Sequence, residues 1–177
     1  IENKLGKAYD IISLSALGHT EELPETHDTL EDNSLEKAQF IYNKYQVNCF
    51  ADDTGLLVEA LNGDPGVMSA RYAGSAKSSE DNMDLLLKNL DGEANRKAKF
   101  ITVISLILHG KVYQFTGEVS GCITEEKAGT KGFGYDPIFM PDGWQKTFAE
   151  LALEEKNKIS HRANAVGKLV EFLKNHR

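Results

Sequence analysis

Cysteine is scarce in this sequence. Cys49 and Cys122 are the only two; they make neither a disulfide framework nor a zinc spacing, and Cys49 sits inside a strand-like run. A reducing, cytoplasmic setting is the expectation. Long apolar runs are also lacking, which leaves no membrane span, and no signal peptide is visible at the start. Basic charge is in deficit: 20 Lys and Arg stand against 27 Asp and Glu, a net charge of -7. That argues against a general nucleic-acid binder, which needs a basic footprint. It does not exclude a nucleotide substrate, provided metal and local Lys or Arg offset the phosphate charge. His19, His27, His109, His161 and His176 show no metal-ligand spacing, and no repeat, low-complexity tract or linker stands out.

What is present is an ordinary globular composition over 177 residues, 41% of them hydrophobic. It suits one domain, or two intimately joined lobes, with length enough to bury a core. The chain is organised around Phe50-Ala51-Asp52-Asp53-Thr54-Gly55. A strand-like run from Gln46 drives into two adjacent carboxylates and a Thr-Gly pair. Strand side chains alternate faces, so at most one of the two carboxylates faces a given cleft unless the backbone turns there. Read alone, the pair is ordinary turn chemistry. At the end of a buried strand it calls for a cation, and Mg²⁺ is the usual one where phosphates are handled.

Along the chain, Ile1 to Gly6 reads as the tail of a helix and Tyr9 to Leu14 as a short strand. Leu23 to Asn33 is an acidic, irregular loop in which Glu25 follows the rigid Pro24. A helix then begins at Thr29 or Asn33. Asn33 and Glu36 have capping-box spacing, Leu35, Ala38, Ile41, Tyr42 and Tyr45 form the apolar stripe, and Lys37 lies off it like a surface lysine. Ser78 and Asp81 open a helix over about 79–90. Lys99–Leu108 and Lys111–Ile123 predict two strands joined at His109-Gly110, so the sheet is expected to be mixed rather than wholly parallel. The loop from Glu125 to Asp136 places glycines around Lys131, Phe133 and Tyr135, where backbone can approach a ligand and a ring can stack. A last helix starts at Ser160 with His161 and Arg162 in its first turn. Basic residues oppose the helix dipole there, so an acceptor or anion is expected to compensate.

Four segments, Ala51–Gly55, Gly63–Tyr72, Gly132–Pro137 and Glu155–Arg162, together resemble one family, the inosine triphosphate pyrophosphatases. The resemblance runs from Leu23 to the end. It implies an elongated α/β fold with a mixed sheet flanked by helices and two lobes around a nucleotide-binding cleft. It also implies a homodimer, and Mg²⁺-dependent hydrolysis of ITP, dITP and XTP to monophosphate and pyrophosphate. By the same resemblance Asp53 holds Mg²⁺ and accepts a proton, Glu25 is a second metal-side carboxylate, and Asp52 assists. Thr54 and Lys37 meet the substrate, the latter at phosphate. Phe133, Gly134, Tyr135 and Asp136 form the nucleoside-binding loop, with Phe133 as the stacking ring, and Lys156, His161 and Arg162 read the base. The physics agrees: a triphosphate carries about four negative charges, which an acidic protein accepts only through metal and nearby cations.

One departure stands out. The family opens with a strand and a Thr/Ser-Gly-Asn-x-x-Lys turn that grips the triphosphate, whereas Ile1 falls inside what would be the following helix, and Asn3-Lys4 is not a match. Residues 1–177 on their own are accordingly expected to be unstable and to bind triphosphate weakly. Two rivals remain. A septum-associated type of nucleotide pyrophosphatase would act on modified pyrimidine or methylated nucleotides, and Ser160-His161-Arg162 speaks against it. A non-catalytic nucleotide sensor would have lost the carboxylates, yet Glu25, Asp52 and Asp53 are all present.

Overall fold

The computed structural model describes Leu5 and residues 9–176. Thr29, not Asn33, caps the first helix, α1 (Leu30–Tyr45), by accepting the Asp32 N–H at 3.1 Å. β1 (Cys49–Val58) follows and runs unbroken through Asp52, Asp53, Thr54 and Gly55. The turn reading of the acidic pair is thereby overturned. Leu56 and Val58 are fully buried beyond it, and their burial requires the extended chain to continue. β2 (Pro65–Gly66) pairs antiparallel with β1, Leu56 opposite Gly66. α2 (Ser79–Asn89) is capped by Ser78, as its spacing predicts. β3 (Lys97–Leu108) and β4 (Lys111–Ile123) are joined by His109 and Gly110 at φ 52° and 75°. Two successive left-handed residues match the twist of a tight hairpin. β5 (Phe139–Pro141) pairs antiparallel with the end of β4. α3 (Leu153–Ile159) and α4 (His161–Asn175) complete the chain. The strand order is β2-β1-β3-β4-β5, so the expected α/β class is observed, and both edge pairings are antiparallel.

Two expectations fail. Tyr9 to Leu14 is not a strand but an irregular segment leading into a turn. The Tyr9 hydroxyl donates to Leu173 O at 2.9 Å, and Ile11 packs on the apolar cluster that includes Leu169. Docking against α4 thus takes the place of sheet pairing. The helix tail over Ile1 to Gly6 lies outside the described residues except at Leu5, which is helical. The buried stripe of α1 is also turned from the expected one: it comprises Leu30, Asn33, Ser34, Lys37, Ala38 and Ile41. Half of it is polar, which an apolar-periodicity rule cannot see.

The chain forms two compact units: Ile1–Asp53, Val103–Thr116 and Ala165–Arg177 in the first, Thr54–Thr102 and Gly117–Asn164 in the second. In the first, α4 residues Leu169, Val170 and Leu173 pack with Ile104, Leu106 and Leu108 of β3. A buried hydroxyl pair seats α1. Ser34 donates to Glu31 O at 2.9 Å, so the Ser105 hydroxyl donates to Ser34 Oγ at 2.7 Å and accepts from Gln114 Nε2 at 3.0 Å.

The core of the second unit joins Leu56 and Val58 to Leu86, Leu90, Phe100, Phe139 and Phe148. Buried Asn82 of α2 holds the turn above it, accepting the Ala73 N–H at 2.7 Å and donating to Ala70 O at 3.0 Å. That turn presents Ser69, whose hydroxyl accepts the Leu56 N–H and whose carbonyl accepts the Tyr135 hydroxyl at 2.8 Å. The segment 132–136 is thus tied to α2 through Ser69. Asn82→Ala is expected to cost about 2–3 kcal/mol, because it strands buried backbone groups. Urea unfolding measures this, and an unchanged midpoint would show that the turn stands without it.

Candidate active site

The first unit assembles a cluster around one cation. Pro24 limits the backbone before Glu25, α1 carries Lys37 on its buried face, and β1 delivers Asp53. Lys37 Nζ donates to Glu25 Oε1 at 2.7 Å and to Asp53 Oδ1 at 2.8 Å. The Lys37 side chain is 9% exposed and that of Asp53 12%. The surface-lysine reading of Lys37 is therefore corrected: it is a buried ion-pair centre. Burial opposes its charge, but the bonds to Asp53 and Glu25 more than offset that and hold the ammonium above its ordinary range. Burial also pushes the Asp53 carboxyl above the usual aspartate range, and Lys37 pulls it back only in part. Asp52, next along a continuous strand, points to the opposite face.

The second unit assembles an aromatic and basic cluster. Backbone bonds from Lys131 N to Ala149 O and from Ala149 N to Asp136 O hold the glycine-rich loop to the segment 147–149. Asp136 is 3% exposed, and its Oδ2 accepts both the Phe133 N–H at 2.9 Å and the Lys156 ammonium. The loop closes over Asp136 only because Gly132 lacks a side chain; a Cβ there would collide with Oδ2. Phe133 is left 65% exposed. Lys156 Nζ lies 5.0 Å and Arg162 Cζ 5.5 Å from its ring centre. An open aromatic face framed by two cations suits a flat, electron-rich ring.

Of the residues singled out in the sequence, Glu25, Lys37 and Asp53 meet in the first cluster, and Phe133, Asp136, Lys156 and Arg162 meet in the second. Tyr135 turns its ring into the core, where burial raises its phenol pKa well above normal. His161 stacks flat on Phe100, 4.5 Å between centroids, in the same core. Gly134 adopts φ 61°, and the Thr54 hydroxyl bonds that of Thr102 at 2.7 Å. Ser160 caps α4 by accepting the Ala163 N–H. Sequence reasoning does not single out Gly132, whose need for a bare backbone shows only once Asp136 folds against it. Asn33 and Glu36 make no capping box, contrary to their spacing, and instead bind the loop that carries Glu25.

The profile of the Ham1 family matches residues 1–172. The dITP/XTP pyrophosphatase of Flavobacterium johnsoniae is 54% identical over 173 residues, 98% of this chain and 90% of that protein. That of Porphyromonas gingivalis is 51% identical over 166 residues, 93% of this chain and 85% of the relative. Among solved structures, the Staphylococcus aureus Ham1 protein aligns with a TM-score of 0.90 at 42% identity, covering 96% of this chain and 88% of its own. The Mycobacterium abscessus nucleoside-triphosphatase / dITP/XTP pyrophosphatase aligns with a TM-score of 0.80 at 39% identity, covering 97% and 89%.

Lys37→Met keeps the methylenes and deletes the charge. It is expected to cost about 2–3 kcal/mol near neutrality, below the ~3–5 kcal/mol of a fully buried pair because Glu25 stays partly solvated. Without the ammonium, the already raised Asp53 pKa rises further. A carboxyl whose folded pKa is raised favours folding at low pH and loses that advantage as pH climbs through the folded pKa. The deficit against wild type should therefore be larger at pH 7.5 than at pH 5. Thermal melts at the two pH values decide this, and equal deficits would remove the ammonium from the balance.

Proposed function

The chain belongs to the Ham1 family, and on that footing we propose how its two clusters hydrolyse non-standard purine nucleoside triphosphates (ITP, dITP and XTP) to monophosphate and pyrophosphate. The observation that carries the reading is the convergence of Glu25 Oε1 and Asp53 Oδ1 on one cationic atom. Two carboxylates that already share a cation have the donor chemistry for Mg²⁺, a hard cation that prefers oxygen ligands. Glu25 and Asp53 would hold the ion. An ion held there would supply positive charge for the phosphates and help to activate water.

Asp53 accepts the proton of the attacking water, and its raised pKa makes it a stronger base than an exposed aspartate. The water oxygen bonds to the α-phosphorus while the bond from that phosphorus to the bridging oxygen breaks. Pyrophosphate leaves with the electron pair. Asp52, pointing to the opposite face of the strand, assists only through its negative charge beside Asp53. Lys37, held in its charged form, is the cation for the phosphates.

In the second cluster Phe133 stacks on the base, with Gly134 allowing close backbone approach. Lys156, fixed by Asp136, and Arg162 donate to the 6-keto oxygen. Adenine presents an amino donor at that position, which would face donors and leave a buried group unpaired. Tyr135 anchors the loop from below, Thr54 offers its hydroxyl to the substrate, and His161 fixes the start of the helix from which Arg162 projects. The whole chain acts as one catalytic domain, working as a homodimer in the cytoplasm. Among the described residues no helix is long and apolar enough to cross a membrane.

Asp53→Asn is expected to lower turnover by a factor of roughly 10² or more with folding little changed; near-normal pyrophosphate release from the purified variant would sink the assignment. Arg162→Ala should raise KM for ITP and narrow its advantage over ATP by about 1–3 kcal/mol, the value of one charged hydrogen bond. An unchanged ITP-to-ATP ratio of kcat/KM would place selectivity elsewhere.

A further inference from the structure

Three successive residues of the irregular loop are each met by one residue of α1, in antiparallel order. Glu25 bonds Lys37. Thr26 donates its N–H to Glu36 Oε2 and its hydroxyl to Glu36 Oε1, both at 2.8 Å. His27 donates its N–H to Asn33 Oδ1 at 2.9 Å and accepts from Asn33 Nδ2 at 3.1 Å. Asn33, Glu36 and Lys37 are spaced i, i+3, i+4, so they share one face of the helix. The loop has no strand or helix of its own to set its register. Lys37 is in addition shared with Asp53, so it cannot by itself hold Glu25 in place.

We propose that Glu36 is a positioning residue: its two-point grip on Thr26 fixes where the neighbouring Glu25 carboxylate stands beside Asp53. This rests on the reading of Glu25 and Asp53 as the metal-holding pair. Both Glu36 oxygens are used on Thr26, and those two bonds keep its carboxyl below the ordinary glutamate range, so it stays an acceptor through neutral pH. A partner that hydrogen-bonds a metal ligand directly typically changes metal affinity by about 10–100-fold when removed, and Glu36 acts through the next residue, so the lower end is expected. The chemistry at the base lies with residues of the second unit, so base preference should not move.

The test measures Mn²⁺ binding to the nucleotide-free protein by electron paramagnetic resonance, alongside steady-state pyrophosphate release. Glu36→Ala is expected to weaken Mn²⁺ binding about tenfold, to raise the metal concentration needed for half-maximal rate, and to leave the ratio of dITP to dATP kcat/KM unchanged. Glu36→Gln, which keeps one acceptor oxygen, should recover much of the loss. Thr26→Val removes only the hydroxyl bond and gives a milder version of the same change if Glu36→Ala fails to fold. In the Glu25→Gln background, Glu36→Ala should add nothing. Unaltered Mn²⁺ affinity in Glu36→Ala together with a loss in Glu25→Gln would overturn the positioning role and leave the metal reading intact. Unaltered affinity in Glu25→Gln would overturn the metal reading itself, and the positioning role with it.

Discussion

One buried ammonium between two carboxylates sets the terms for the first unit. Taken alone, each of its three charges is costly out of water. Together they leave one net negative charge, lodged where Asp53 is nearly enclosed and Glu25 is partly open. That imbalance has a direct chemical consequence: burial keeps Asp53 more basic than usual, and Lys37 pulls it back only in part. The proposed role of the site as a cation holder rests on that residual negative charge. The surrounding structure serves this arrangement. The hydroxyl pair of Ser34 and Ser105 seats α1, and the unbroken strand β1 delivers Asp53.

The second unit solves a similar problem with a single carboxylate. Asp136 accepts from a backbone N–H and an ammonium at once, which fixes the glycine-rich loop and Lys156 to each other. The aromatic core of Phe100, Phe139 and Phe148 lies beneath, with His161 stacked on it. Phe133 is the ring left outside. Its ring is met by Lys156 and Arg162, and the rest of its surface faces outward.

Much of this was legible in the sequence. Hairpin and helix-capping signals located β3, β4 and α2, and the four motif segments contain Asp53, Phe133, Asp136, Lys156 and Arg162, whereas Glu25 and Lys37 lie outside them. What escaped detection had a common cause. Periodicity rules count apolar residues, so they missed a helix face whose buried positions are Asn33, Ser34 and Lys37, each satisfied by a specific partner. Local spacing likewise suggested that Asn33 and Glu36 cap their own helix, when Thr29 does so and they bind a loop. Tyr9 to Leu14 reads locally as a short strand, but Tyr9 and Ile11 pack against a helix whose position no local pattern reveals. Taken alone, the acidic pair has the composition of a turn, and the motifs elsewhere in the chain were needed to reverse that reading.

The central claim is that the carboxylate pair and the aromatic-basic cluster belong to one hydrolytic function directed at 6-keto purines. Its most direct test is pyrophosphate release by the wild-type protein from a panel containing ITP, dITP, XTP, ATP and dCTP, with Mg²⁺ and with a chelator. The account predicts Mg²⁺-dependent release that is far faster for the three 6-keto purines than for ATP or dCTP. Equal rates across the panel, or release that persists undiminished in the chelator, would contradict it.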